Sequence, residues 1–160
     1  GATLAAAAAG ATVTHVDASK GMVTWAKENA VSSGLKDAPI RWLVDDCVKF
    51  VEREIRRGNT YDAIIMDPPS YGRGPKGEIW KIEDMIHPLI RLCAKILSKD
   101  ALFFLVNSYT TGLAPAVLTY MISTELKSWN GHVDSQEIGL PVTNSGLVLP
   151  CGASGRWESR

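Results

Sequence analysis

A short acidic and proline-rich segment is the part of this sequence best suited to chemistry. It consists of Asp67, Pro68, Pro69, Ser70 and Tyr71, and it directly follows an apolar run. The two prolines restrict φ and stiffen the turn, so the Asp67 carboxylate and a proline carbonyl oxygen hold fixed positions. Two fixed acceptors suit a planar nitrogen base with N–H donors, and the Tyr71 ring can stack on such a base. The alternative is a proline-rich turn after a strand, which Asp67 starts.

Other polar residues also follow apolar runs, and Asp17 is the first of them. Ligands of open parallel α/β sheets bind beyond the carboxyl ends of the strands. A carboxylate at Asp17 can accept hydrogen bonds from both ribose hydroxyls of a nucleoside, or it can serve as a helix cap just before Ser19. Asp46 can accept from an adenine amino group, while the backbone N–H of Cys47 can bond a ring nitrogen. Its neighbour Asp45 is expected to be a solvated or capping residue.

Cations and an aromatic residue lie beyond the proline-rich segment. Arg73 and Lys76 belong to a glycine-rich stretch, and Trp80 and Lys81 come just after it. Such residues beside a catalytic loop suit a phosphate-bearing substrate. A solvated glycine loop explains the same composition equally well.

The elements that must position these residues alternate between strands and helices. Apolar periodicity and turn residues predict helices over 2–9, 19–33, 82–97 and 114–126. Val48, Val51 and Ile55 mark a further helix, which ends at Gly58-Asn59. The same signals predict strands over 12–16, 40–44, 61–66, 101–106, 132–138 and 147–149. Alternating strands and helices indicate an α/β fold with a mainly parallel sheet, and the closing pair of strands requires an antiparallel C-terminal strand. We expect the strands ending at Asp17, Asp46 and Asp67 to point the same way.

Composition and charge narrow the class of protein. The chain has 160 residues, 46% of them hydrophobic, which suits a single domain with a sizeable core. Its 17 basic and 17 acidic residues cancel, so the sequence has no global signature of nucleic-acid binding, although a local basic patch is compatible with it. Widely spaced cysteines and histidines predict reduced thiols and no metal site. The absence of a long apolar run predicts a cytoplasmic protein with no membrane partner.

Four segments together resemble class I S-adenosylmethionine-dependent methyltransferases, and most closely the bacterial branch that methylates bases in ribosomal RNA. They read V-D-A-S-K at 16–20, V-D-D at 44–46, D-P-P-S-Y-G-R-G-P-K-G-E at 67–78 and L-P-C-G at 149–152. The resemblance implies a Rossmann-like fold, S-adenosylmethionine as cofactor and a ribosomal RNA substrate. It implies cofactor-binding roles for Gly1, Asp17, Ala18, Asp46, Cys47 and Asp67. It further implies that Asp67, Pro68, Pro69 and Tyr71 are catalytic and that Ser70, Tyr71, Arg73 and Lys76 bind the substrate.

Two departures from the family qualify this interpretation. The glycine-rich first loop is represented by Gly1 alone, and the chain begins without an initiator Met, so we expect the first strand to be missing and the 160 residues alone to bind the cofactor poorly. Relatives that make 5-methylcytosine have a cysteine where this chain has Asn107-Ser108-Tyr109, and Cys93 is expected in the core. Two other functions remain open, a nicotinamide-dependent oxidoreductase of Rossmann type and a non-catalytic interaction module.

Overall fold

The computed structural model describes residues 1–74, 77–110 and 112–160 of the chain. These residues form two compact units, Gly1–Arg57 and Gly58–Arg160, which are described separately below. The predicted Lys76 site residue lies outside the described residues.

The unit Gly1–Arg57 alternates helices with two strands. Its elements are α1 (Ala2–Ala8), β1 (Val13–Asp17), α2 (Lys20–Ser32), β2 (Ile40–Val44) and α3 (Cys47–Arg57). Strands β1 and β2 are parallel, and Asp17 is paired with Val44 at their carboxyl ends. The buried side chains Val23, Ala30 and Phe50 come from α2 and α3. The predicted parallel pairing of these two strands is confirmed, so both strands end at the same edge.

The unit Gly58–Arg160 is built on a four-stranded sheet. Its elements are β3 (Ala63–Met66), β4 (Tyr71–Arg73), β5 (Ile79–Lys81), α4 (Ile82–Ala94), β6 (Phe103–Ser108), α5 (Pro115–Glu125), β7 (Gly131–Pro141) and β8 (Val148–Ser159). The strand order is β3-β6-β8-β7, and β4 and β5 form a separate antiparallel pair. Strand β3 is parallel to β6, while β8 is antiparallel to both of its neighbours. The predicted antiparallel C-terminal strand is therefore confirmed.

The core of this second unit lies where helices cover the sheet. Its most completely buried large side chains are Phe104, Ile82, Ile90, Leu118, Ile122, Leu126 and Val106. Helix α4 begins at Ile82, before Pro88, and continues past it to Ala94. Pro88 therefore lies inside the helix, where its missing N–H removes one backbone hydrogen bond.

Two predicted regions differ from the structure. The stretch predicted as a glycine-rich loop contains the β4–β5 hairpin, in which Gly72 is paired with Trp80. The last strand runs from Val148 to Ser159 instead of ending near Leu149. Glycine and serine are weak β-formers, and β8 forms because β6 and β7 supply backbone partners on both of its sides. A Cβ at Gly152 would collide with the Ser108 carbonyl oxygen, so this close approach requires glycine.

Within the described ranges, no helix is long and apolar enough to cross a bilayer. The same residues contain no group of three or more His, Cys, Asp or Glu side chains able to hold a metal ion.

Candidate functional site

The carboxyl edge of the β1–β2 sheet carries Asp17. Its Oδ1 accepts a hydrogen bond from the backbone N–H of Ser19 at 2.7 Å, which closes a local turn. The cap of α2 is Ser19, whose Oγ accepts from the N–H of Met22 at 3.3 Å. Because Ser19 fills the capping role, Asp17 is not needed there. Among the described residues Oδ2 of Asp17 has no hydrogen-bond donor, so it can accept one from a ligand.

The second acidic position lies at the same edge, beyond β2. Oδ1 of Asp46 accepts from the N–H of Lys49 at 2.9 Å, so Asp46 starts the first turn of α3. Asp45 accepts from the N–H of Asp46 at 2.9 Å and forms an ion pair with Arg53. The capping role that the sequence suggested for Asp45 thus falls to Asp46. One oxygen of Asp46 is used in this way, and the other has no donor among the described residues.

Cys47 directly follows Asp46 and is the first residue of α3. The first N–H groups of a helix have no partner within the helix, so the Cys47 N–H is available to an outside acceptor. Burial raises the pKa of the Cys47 thiol, and the charges of Asp17 and Asp46 raise it further. Both carboxylates therefore lie near this helix end, and the sulfur remains a thiol at neutral pH. Its S–H points at the Val16 carbonyl oxygen at 3.9 Å, a weak contact.

Gly1 is exposed and caps α1.

In the second unit, Asp67 directly follows β3. Since Met66 is paired with Val106 in the parallel β3–β6 register, Asp67 leaves β3 at the edge of the sheet where Asn107 lies near the end of β6. Asp67 is solvent-exposed, yet partial burial raises the pKa of its carboxyl group. A carboxylate with incomplete hydration is a stronger hydrogen-bond acceptor for a ligand that displaces the remaining water.

The loop that carries Asp67 is held at three points. The Trp80 indole N–H donates to the Pro69 carbonyl oxygen at 2.6 Å. The Ser70 hydroxyl bonds the Thr110 hydroxyl at 2.6 Å, and the Ser70 carbonyl accepts from the N–H of Ile82 at 3.1 Å. Ile82 is the buried first residue of α4, so the last bond connects the loop to the core. The loop therefore has a defined position before any ligand binds.

The loop after β6 is fixed as well. Ser108 is fully buried, and its Oγ accepts from the N–H of Thr110 at 3.2 Å. The Asn107 carboxamide oxygen accepts from the Ser154 hydroxyl at 2.8 Å. These two side chains join β6, β8 and the Thr110 loop. Cys93 is in the core of α4, as predicted.

The β4–β5 hairpin has two different faces. Tyr71, Arg73, Ile79 and Lys81 are exposed, whereas Gly72 and Trp80 are partly covered. The Trp80 bond to Pro69 belongs to the covered face, so this aromatic residue holds the loop in place. On the exposed face, the Arg73 Nε–H donates to the Tyr71 hydroxyl oxygen at 2.9 Å. The sequence interpretation missed the structural roles of Trp80 and Thr110. The alternation in Tyr-Gly-Arg and Ile-Trp-Lys was the signal for the hairpin, and nothing local marked Thr110.

Comparison with solved structures identifies this arrangement. The S-adenosylmethionine-dependent methyltransferase from Agrobacterium tumefaciens superposes with a TM-score of 0.91 at 42% sequence identity, over 99% of this chain and 52% of that protein. The fold is that of a class I methyltransferase. A second structure, of a candidate methyltransferase with S-adenosylhomocysteine bound, has a TM-score of 0.75 at 23% identity. The superposition covers 96% of this chain and 41% of the second protein's chain. At this sequence identity it supports the class I fold alone.

The curated relatives that match this chain in sequence are ribosomal RNA methyltransferases by name. Ribosomal RNA large subunit methyltransferase K/L of Pseudoalteromonas atlantica is 36% identical over 86 residues, which is 53% of this chain and 12% of that protein. Methyltransferase K of Neisseria meningitidis is 29% identical over 94 residues, which is 58% of this chain and 27% of its own length. The chain thus spans about half of the similar solved structure and a smaller share of these relatives. No protein-family model matches the chain.

Proposed function

We propose that this chain is part of an S-adenosylmethionine-dependent methyltransferase that methylates a base in ribosomal RNA, in the cytoplasm. The observation that carries the proposal is the fixed acceptor pair at Asp67 and its prolines, held by Trp80, Thr110 and Ile82. The 42% identity to a methyltransferase over 99% of the chain supports the reaction. The names of the curated relatives support ribosomal RNA as the substrate.

The unit Gly1–Arg57 would supply the nucleoside contacts. The free oxygen of Asp17 would accept from the ribose hydroxyls, beside the backbone of Ala18. The free oxygen of Asp46 would accept from the adenine amino group, and the Cys47 N–H would donate to an adenine ring nitrogen. These donors and acceptors fit the group, since each has an unused hydrogen-bonding position among the described residues. Gly1 would stand near the methionine part, as the resemblance implies.

The unit Gly58–Arg160 would bind and orient the methyl acceptor. The bound sulfonium supplies an already activated methyl group, so the protein has to position the acceptor rather than activate it. Asp67 and a proline carbonyl of Pro68 or Pro69 would accept N–H bonds from a flat base, and because Trp80 already occupies the Pro69 carbonyl, Pro68 is the better acceptor. Ser70, Tyr71 and Arg73 would contact the substrate around that base. Lys76 keeps the substrate-binding role that the sequence predicts for it.

Calorimetry and a methyl-transfer assay test this function. Because the 160 residues alone are expected to bind the cofactor poorly, both measurements use the full-length protein. It should bind S-adenosylhomocysteine, show no heat of binding with NAD, and transfer label from S-adenosylmethionine to ribosomal RNA. Asp67→Ala should reduce turnover by roughly thirtyfold to a thousandfold, since a preorganised acceptor contributes about 2–4 kcal/mol to transition-state binding. Lys99→Ala is the control, because Lys99 precedes β6 at the opposite edge of the sheet. Binding of NAD in preference to S-adenosylhomocysteine would reject methyl transfer. Activity of Asp67→Ala within a few-fold of wild type would reject the role of Asp67.

A further inference from the structure

The exposed face of the β4–β5 hairpin combines one aromatic ring with two cations. Tyr71 is paired directly with Lys81 across the two strands, and Arg73 is paired with Ile79. Directly opposite residues have Cβ atoms about 4.5–5.5 Å apart, so the Lys81 and Tyr71 side chains leave the hairpin next to each other. Arg73, two residues along the same strand, reaches the ring from the other direction through its bond to the Tyr71 hydroxyl.

The described residues leave this face of the hairpin open to solvent. The Tyr71 side of the hairpin is solvent-exposed, with Tyr71 at 51% and Ile79 at 56% of full exposure. Among the described residues, neither Arg73 nor Lys81 forms an ion pair. The nearby Glu78 carboxylate folds back against Gly74 within the hairpin turn. Two cations thus flank an exposed ring without a local counter-charge that satisfies them.

The hairpin is also joined to the loop that carries Asp67. Tyr71 directly follows Ser70, and Trp80, on the covered face, donates to Pro69 at 2.6 Å. A polymer bound on the exposed face would therefore pass within a few residues of Asp67.

From this juxtaposition we propose that the exposed face of the β4–β5 hairpin binds a single-stranded nucleic-acid segment beside the target base, with Lys81 as one of its phosphate contacts. A base stacks on Tyr71, and Arg73 and Lys81 bond the flanking phosphates. Single-stranded segments expose base faces for stacking, which duplexes do not, and ring-plus-cation surfaces are typical of such binding. An acidic peptide would use the cations but gain nothing from the ring. The inference rests on the proposed function for the identity of the polymer as RNA.

The test is fluorescence anisotropy with a fluorescein-labelled single-stranded RNA of about ten nucleotides, within the usual site size of such surfaces. The dissociation constant is measured at several salt concentrations for wild type, Lys81→Ala, Lys81→Arg and Lys99→Ala. Lys81→Ala should weaken binding several-fold and reduce the slope of log K against log salt by about 0.7, the value for one phosphate contact on a single strand. Lys81→Arg should keep the slope, and Lys99→Ala, which makes the same charge change at the opposite edge of the sheet, should change neither quantity. Tyr71→Leu should weaken binding at least about fivefold with no change of slope.

Three results would overturn the inference. The first is that Lys81→Ala and Lys99→Ala change the dissociation constant equally. The second is that polyglutamate or duplex RNA binds as tightly as the single-stranded RNA. The third is that wild type does not bind the RNA. S-adenosylhomocysteine affinity is measured by calorimetry on the same preparations. If wild type does not bind S-adenosylhomocysteine, methyl transfer is refuted. The RNA titrations would still decide whether the hairpin binds a single strand.

Discussion

The bond between Trp80 and Pro69 allows a sharp test of whether the hairpin positions the loop that carries Asp67. Trp80→Phe removes the indole N–H and keeps an aromatic ring between Gly72 and Pro69. The lost bond is a neutral one of 2.6 Å at a solvent-exposed position, so water replaces the donor at the Pro69 carbonyl. A neutral hydrogen bond contributes about 0.5–1.5 kcal/mol, and solvent access places this one toward the lower end.

The expected result follows from where that free energy acts. If the bond fixes the loop in the geometry that the reaction needs, its loss should reduce kcat by roughly twofold to fivefold, since about 1.4 kcal/mol corresponds to a factor of ten and this bond contributes about 0.5–1 kcal/mol. S-adenosylhomocysteine affinity should not change. The assay is methyl transfer to ribosomal RNA under saturating substrates, with calorimetry for cofactor binding and thermal unfolding for stability.

Trp129→Phe is the matched control. The Trp129 indole N–H also donates to a backbone carbonyl, that of Ser98, at 2.9 Å, and this bond is partly buried. The control therefore makes the same chemical change near the start of β6, away from Asp67. Because this bond is partly buried, its loss should lower the stability at least as much. It should leave kcat unchanged. If both variants reduce kcat equally, or if Trp80→Phe reduces only the unfolding temperature, the positioning argument is refuted.

Two further predictions concern the same loop. Because burial raises the pKa of Asp67, its ionised form opposes folding at neutral pH, and the free energy of unfolding recovers as the pH falls through the raised folded-state value. Asp67→Asn should therefore be inactive, yet at pH 7 it should be at least as stable as wild type. The difference in the free energy of unfolding should disappear in acid. A variant less stable than wild type at pH 7 would contradict the prediction that the ionised carboxylate opposes folding. Ser70→Ala and Thr110→Ala should show a coupling free energy of about 0.5–1.5 kcal/mol in chemical unfolding, because their hydroxyls lie 2.6 Å apart. Additive effects would show that the two loops are held independently.

Elements with strong local signals could be predicted from the sequence. The bounds of β2 agree residue for residue, and α2 lies within the helix predicted over 19–33. The placement of Asp67 at the end of a strand was also predicted correctly, since an apolar run followed by Asp-Pro-Pro favours a strand that ends in a turn, although β3 is only partly buried. Such features depend on neighbours within a few residues, which the sequence shows directly.

The remaining features depend on partners distant in the chain. Residues 148–159 are rich in Gly and Ser and become a strand only because β6 and β7 pair with both sides. Asp46 and Asp45 are adjacent acids, and it is the position of Arg53 that gives Asp45 an ion pair and leaves the cap to Asp46. Thr110 reaches Ser70 across 40 positions. Sequence periodicity reports the local backbone, whereas these contacts are decided by tertiary packing of segments that no local pattern connects.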